Sequence, residues 1–79
     1  TDAAGIGNTV RVFDMEYEEE DEYTIVGSTE ADPAKLHVSN ESPVGKALLG
    51  AHLGEIVKVS APTGVIQLKV LEIKKANLA

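Results

Sequence analysis

"IVKVSAPTGVIQLKVLEI", residues 56–73, alternates apolar and polar side chains on both sides of a turn. Val57 and Val59 alternate with Lys58 and Ser60, while Ile66, Leu68 and Val70 alternate with Gln67 and Lys69. A period of two places each set on its own face of a half-buried strand. Between the two runs, Pro62 suits the second position of a type I turn, and Gly64 the left-handed position of a bulged hairpin. The segment reads as a β-hairpin whose valine face needs the rest of the chain to cover it.

The nearest cover lies just upstream. "NESPVGKALLG", residues 40–50, is one short helix with an explicit start and stop. Ser42 can cap it, Pro43 fits the first helical position, and Gly50 suits the left-handed exit. Val44, Ala47 and Leu48 form one stripe at the i, i+3, i+4 spacing, with Leu49 expected beside it. About two turns cannot hold themselves together in water, so this helix must pack on something. Two readings stand side by side: the helix plugs a sheet, or its first turn, with Glu41 just outside it, is also a surface that a partner reads.

Further upstream, "TVRVFDMEY" and "EYTIVG" have the β-branched and aromatic composition of strands. In the second, Tyr23 and Ile25 share one face and Thr24 and Val26 the other. "DMEYEEEDE", residues 14–22, joins the two and holds seven of the thirteen acids; it is expected to form a hairpin tip or to continue both strands outward. "GSTEADPAK" is turn chemistry, and "KLHVS" a short third strand, expected at an edge. Residues 1–8 read as a linker or frayed lead-in, and 76–79 as a frayed tail. The expected fold is α+β: a small antiparallel sheet of four to five strands with one short helix across a face.

Composition narrows the function. Seventy-nine residues make one small domain, which buries roughly 60–65% of its unfolded surface. With only Phe13, Tyr17 and Tyr23 as aromatics, the core must be Val, Leu and Ile. The net charge of −6 gives no footprint for direct nucleic-acid binding. No apolar run approaches a membrane span and no signal peptide opens the chain. The absence of Cys excludes disulfides and thiolate metal sites and is compatible with a reducing, cytoplasmic setting. Thr1 in place of Met suggests a piece of a longer protein.

No catalytic constellation emerges. The acidic run lacks the Gly, Asn and Asp alternation that wraps a loop round an ion, so it reads as a solvated hairpin end. His37 and His52 lie fifteen positions apart with no second ligand at metal spacing. Among Ser28, Ser39, Ser42 and Ser60, none sits in a Gly-x-Ser-x-Gly elbow, and "AGIGN" lacks the Lys of a phosphate loop. The expectation is a non-enzyme with no metal and no cofactor.

"YTIVGSTEADP", "LHVSNESPVGKALLG" and "GEIVKVSAPTGVIQLKVLEI" follow one another in an order and spacing that resembles the carboxy-terminal domain of bacterial Gre factors, closer to GreA than to GreB. The likeness covers about residues 8–75. It implies a fold similar to the FK506-binding proteins. It also implies docking on the rim of the RNA polymerase secondary channel, on a coiled coil of the β′ subunit. An amino-terminal coiled coil, which has no counterpart in this chain, would then help the polymerase cleave backtracked RNA. The acid-Ser-Pro of the family's docking surface corresponds to Glu41, Ser42 and Pro43, with Val44 in support. Glu41 stands where Asp is familiar in parts of the family, which changes the reach of that carboxylate. An anti-cleavage Gre paralogue or a Rnk-like regulator is the alternative. A peptidyl-prolyl isomerase shares the fold, but its pocket needs aromatic walls that this chain lacks.

Overall fold

The computed structural model describes residues 3–27 and 36–75. They form β1 (Asn8–Asp14), β2 (Glu19–Val26), β3 (His37–Ser39), α1 (Pro43–Leu48), β4 (Ile56–Ala61) and β5 (Gly64–Lys75). The strands make one sheet in the order β3-β2-β1-β5-β4.

The β4–β5 hairpin is as its alternation predicts. Val57 pairs with Leu68 and Val59 with Ile66, and Ala61 faces Gly64 across the Pro62–Thr63 turn. Gly64 has φ of 135°, a conformation that would strain any side chain. Val57, Val59, Leu68 and Val70 are buried. Beyond Val70 the period slips, because the next apolar core residue is Ile73. The pairing absorbs that slip: Val12 faces Val70 and Arg11 faces Glu72, which leaves Leu71 as the extra residue of a β-bulge. Ile73 thereby meets Val10 on the core side. A bulge bends its strand and strengthens the local twist.

β1 and β2 are an antiparallel hairpin in which the acidic run does continue the strands outward. Asp14 closes β1, its Oδ1 accepting from the backbone N–H of Glu16 at 2.9 Å and of Tyr17 at 3.1 Å. Glu20 and Glu22 lie on β2, where Glu20 takes the Arg11 guanidinium and Glu22 the Lys74 ammonium at 3.0 Å. Glu20 holds the Arg11 guanidinium above its ordinary pKa, first by the hydrogen bond and then by its charge. These pairs are exposed and contribute little stability. Tyr23 and Ile25 share a face, as their alternation predicts, and it is the core one, while Thr24 turns the other way and shares a buried hydroxyl bond of 2.8 Å with Thr9. Burial raises the Tyr23 phenol pKa, assisted by Asp21 and Asp14.

Three expectations need correction. β3 is an edge strand, but it runs parallel to β2, with Thr24 opposite His37 and Val26 opposite Ser39. The sheet is therefore mixed and not antiparallel throughout. The chain between Val26 and His37 is too long for a hairpin loop and close to the dozen residues a parallel return needs. Second, the lead-in is built into the fold from Ala4 onward. Ala4 is buried, donates to the Ala51 carbonyl at 2.8 Å and accepts from the Gly50 N–H at 2.7 Å. Backbone pairing of this kind leaves no periodic trace in the side chains. Third, Leu49 is 43% exposed, because the backbone is already extended there (ψ 122°) and turns its side chain out of the helical stripe. Most of the turn expected at 27–35, and the tail 76–79, lie outside the described residues.

α1 packs against β4 and β3, the two edges of the sheet. One short helix can touch both edges only if the sheet curls round it, and the bulge at Leu71 supplies curvature. Leu48 is fully buried among Val10, Val12, Ile25, Val59 and Val70, with Val44 and Ala47 packed at the margin. Among the described residues no helix is long and apolar enough to cross a membrane.

Candidate partner-docking site

The chain between β3 and α1 is fixed by a knot of short bonds around Ser39. Asn40 donates its N–H to the Val26 carbonyl at 2.9 Å, which ties the segment to β2. The Ser39 carbonyl accepts from the Ser42 N–H at 3.0 Å and from the Ser42 hydroxyl at 2.7 Å. Ser39 Oγ accepts from the Glu41 N–H at 2.9 Å. Ser42 is the helix cap, with an extended backbone (ψ 159°) and Oγ accepting from the Gly45 N–H at 3.1 Å. Pro43 fixes φ for the first helical residue, where its missing N–H costs nothing. At the other end Gly50 leaves with φ of 83°.

Gly45 is the position at which this arrangement becomes possible. A Cβ there would overlap the Ser39 carbonyl oxygen and stand 2.8 Å from its carbon. Glycine inside a helix normally costs about 1 kcal/mol relative to alanine. Here it allows a strand end and a helix start to touch backbone to backbone.

The four residues expected to meet a partner divide by role. Ser42 uses its hydroxyl on the cap, and Val44 is half-buried against the core. Glu41 and Pro43 are exposed and line one side of a groove completed by Lys46 and Ala47 of α1 and by Lys58 and Ser60 of β4. Lys46, Lys58 and Ser60 were not anticipated. Lys46 could have been, since it lies three residues from Pro43 and so on the same side of the helix. Lys58 and Ser60 are the outward residues of the β4 alternation, and only the tertiary fold brings them beside α1. The groove is bordered by exposed side chains, which suits the protruding residues of another macromolecule better than an enclosed ligand.

The remaining titratable candidates do not join this site. His37 is half-buried on β3. His52 is exposed in the turn after the helix, where its N–H donates to Glu55 Oε1 at 2.9 Å. Among the described residues, no three His, Asp or Glu side chains converge as a metal site would require.

A curled mixed sheet closed by one capped helix, with an exposed helix start, defines a small α+β domain. The chain belongs to the GreA/GreB carboxy-terminal family of transcription elongation factors, whose family description, "Transcription elongation factor, GreA/GreB, C-term", matches residues 1–75. It is 61% identical over 95% of its length to transcription elongation factor GreA of Acetivibrio thermocellus, and 58% identical over 94% to that of Thermoanaerobacter pseudethanolicus. Each match takes up 47% of the relative, so the chain spans about half the length of these factors. Among solved structures, the GreA factor homolog 1 (Gfh1) of Thermus thermophilus superposes with a TM-score of 0.78 at 30% identity, covering 90% of this chain and 47% of that one. The elongation factor GreA/GreB from Nitrosomonas europaea gives 0.76 at 28%, covering 92% and 61%.

Proposed function

We propose that this domain docks a Gre-type elongation factor on RNA polymerase, at the rim of the secondary channel and on the β′ coiled coil there. Glu41 and Pro43 make the contact, while Ser42 and Val44 hold them in place. An amino-terminal coiled coil, of the kind that whole factors of this family carry, then reaches the polymerase active site and promotes cleavage of backtracked RNA in the bacterial cytoplasm. The domain contributes no catalytic group and needs no metal or cofactor of its own. One observation carries this reading: the Ser39–Gly45 bonds immobilise an exposed acid and an exposed proline before any partner arrives. Such preorganisation lowers the ordering cost of binding. The identity of 61% to a GreA factor supports placing the domain in a Gre-type elongation factor.

The test separates stability from binding. Glu41→Ala should leave the melting temperature almost unchanged, since a surface charge beside a helix start is worth a few tenths of a kcal/mol. It should weaken polymerase binding about ten- to hundredfold, the value of one hydrogen bond to a charged group, roughly 1.5–3 kcal/mol. Pro43→Ala should behave alike. Ser42→Ala should lower both, because losing a cap costs about 1 kcal/mol. Titration against polymerase beside a thermal melt of each variant reads all three. Unchanged binding by Glu41→Ala and Pro43→Ala would reduce α1 to a plug for the sheet.

A further inference from the structure

The groove that begins at Glu41 and Pro43 ends on two ammonium groups. Lys46 projects from the last turn of α1 and Lys58 from the outward face of β4, and both are exposed. This is unusual company in a chain with thirteen acids and seven Lys and Arg. Elsewhere two of the four described cations find acids: Arg11 meets Glu20 and Glu72, and Lys74 meets Glu22. Among the described residues, neither Lys46 nor Lys58 has an ion-pair or hydrogen-bond partner for its ammonium. Lys69 and Lys75 also lack one, but neither lines this groove.

Each lysine has a structural explanation when taken alone. Lys46 complements the carboxyl end of the helix dipole, and Lys58 discourages a stray strand from pairing with the β4 edge. Those roles require no shared groove. The docking reading above does. A partner that covers Pro43 and Glu41 also covers the Pro43 and Ala47 surface between them and the lysines, and so strips water from both ammonium groups. Unpaired charges removed from water are costly, whereas carboxylates brought to them recover the loss and set the register.

Resting on that docking reading, we infer that the groove between α1 and β4 is the second half of the docking surface and that Lys46 and Lys58 receive carboxylates from the polymerase segment seated in it. The occupant is an acidic stretch of protein. A nucleic-acid backbone fits less well, because the net charge of −6 repels a polyanion that two lysines cannot hold.

The experiment titrates RNA polymerase with this chain and with Lys46→Glu, Lys58→Glu, Lys46→Gln, Lys58→Gln and, off the groove, Lys69→Glu. Thermal melts run alongside. Each reversal in the groove should weaken binding about tenfold or more, each Gln variant less, and Lys69→Glu should stay within about twofold. Added salt should weaken the unaltered chain more steeply than either single reversal in the groove. If the reversals bind as well as the parent while Glu41→Ala and Pro43→Ala still weaken, the docking reading stands and this inference falls. If all of these variants bind like the parent, or the parent does not bind, both fall. Should a reversal fail to fold, the Gln variants decide, and parental affinity in both overturns the inference. Binding of a single-stranded RNA oligonucleotide that is lost in the same lysine variants would also overturn it, by assigning the groove to phosphate.

Discussion

A single methyl group at Gly45 tests the knot that fixes the proposed docking surface. Two effects oppose each other. Alanine is the better helix former by about 1 kcal/mol. Its Cβ, however, would collide with the Ser39 carbonyl, which already holds the Ser42 N–H and hydroxyl. Backbone cannot swing aside as a flexible side chain can, so the collision should win. Gly45→Ala is expected to destabilise the domain by about 1–3 kcal/mol, the usual cost of overpacking. It should also release Glu41 and Pro43 from their fixed positions. A denaturant melt gives the first effect, and polymerase binding measured well below the melting temperature gives the second. A gain in stability would mean that Ser39 retreats at no cost and that the knot is loose. Of the helix start, the Ser42 cap and Pro43 at the first helical position were legible from capping chemistry. The need for Gly45 was not legible, because the close approach to Ser39 that requires it joins two elements.

At the scale of elements, what could be read depended on whether a side-chain period reports the structure. The β4–β5 hairpin was legible because Val57, Val59, Leu68 and Val70 all face one core. The parallel course of β3 was not, since three residues carry no directional signal and direction is set by the connection. The Ala4 pairing with Gly50 and Ala51 was invisible for the same kind of reason: main-chain atoms make it. Leu71 is the intermediate case, betrayed only by the slip from Val70 to Ile73. Deleting Leu71 would leave Val70 opposite Val12, Glu72 opposite Arg11 and Ile73 opposite Val10, so every pair survives and only the bulge goes. The deletion should therefore fold in the same register, with a lower melting temperature and a loss within the ordinary range of about 0.5–3 kcal/mol. Hydrogen exchange should show α1 opening more often while the β1–β5 amides stay protected, since the flatter sheet grips the helix less well at its two edges. Uniform loss of protection would show that the bulge holds the register and not the curl.

For the whole molecule, the proposed division between a docking domain and the rest of a Gre factor leads to a functional expectation. The chain spans about half of its GreA relatives and carries the surface proposed to meet polymerase. Transcript cleavage by a backtracked polymerase, with this chain alone added, should remain at the polymerase's intrinsic rate even when the chain is bound. Clear stimulation would place a catalytic contribution in this domain and end the proposed division of labour. The sheet order has a consequence of a different kind, in time. β1 is the middle strand, and its partner β5 is the last to be made; Asn8 faces Lys75. On a ribosome adding about 5–20 residues per second, the forty-nine residues from Val26 to Lys75 take roughly 2–10 s. Any β1–β2 hairpin that forms in that interval has one side of β1 unpaired, an invitation to a neighbouring nascent strand. The acids of Asp14 and Glu19–Glu22 sit on this early hairpin. Like charges brought together across strands repel, so these acids oppose the pairing of one such hairpin with another before β5 is made.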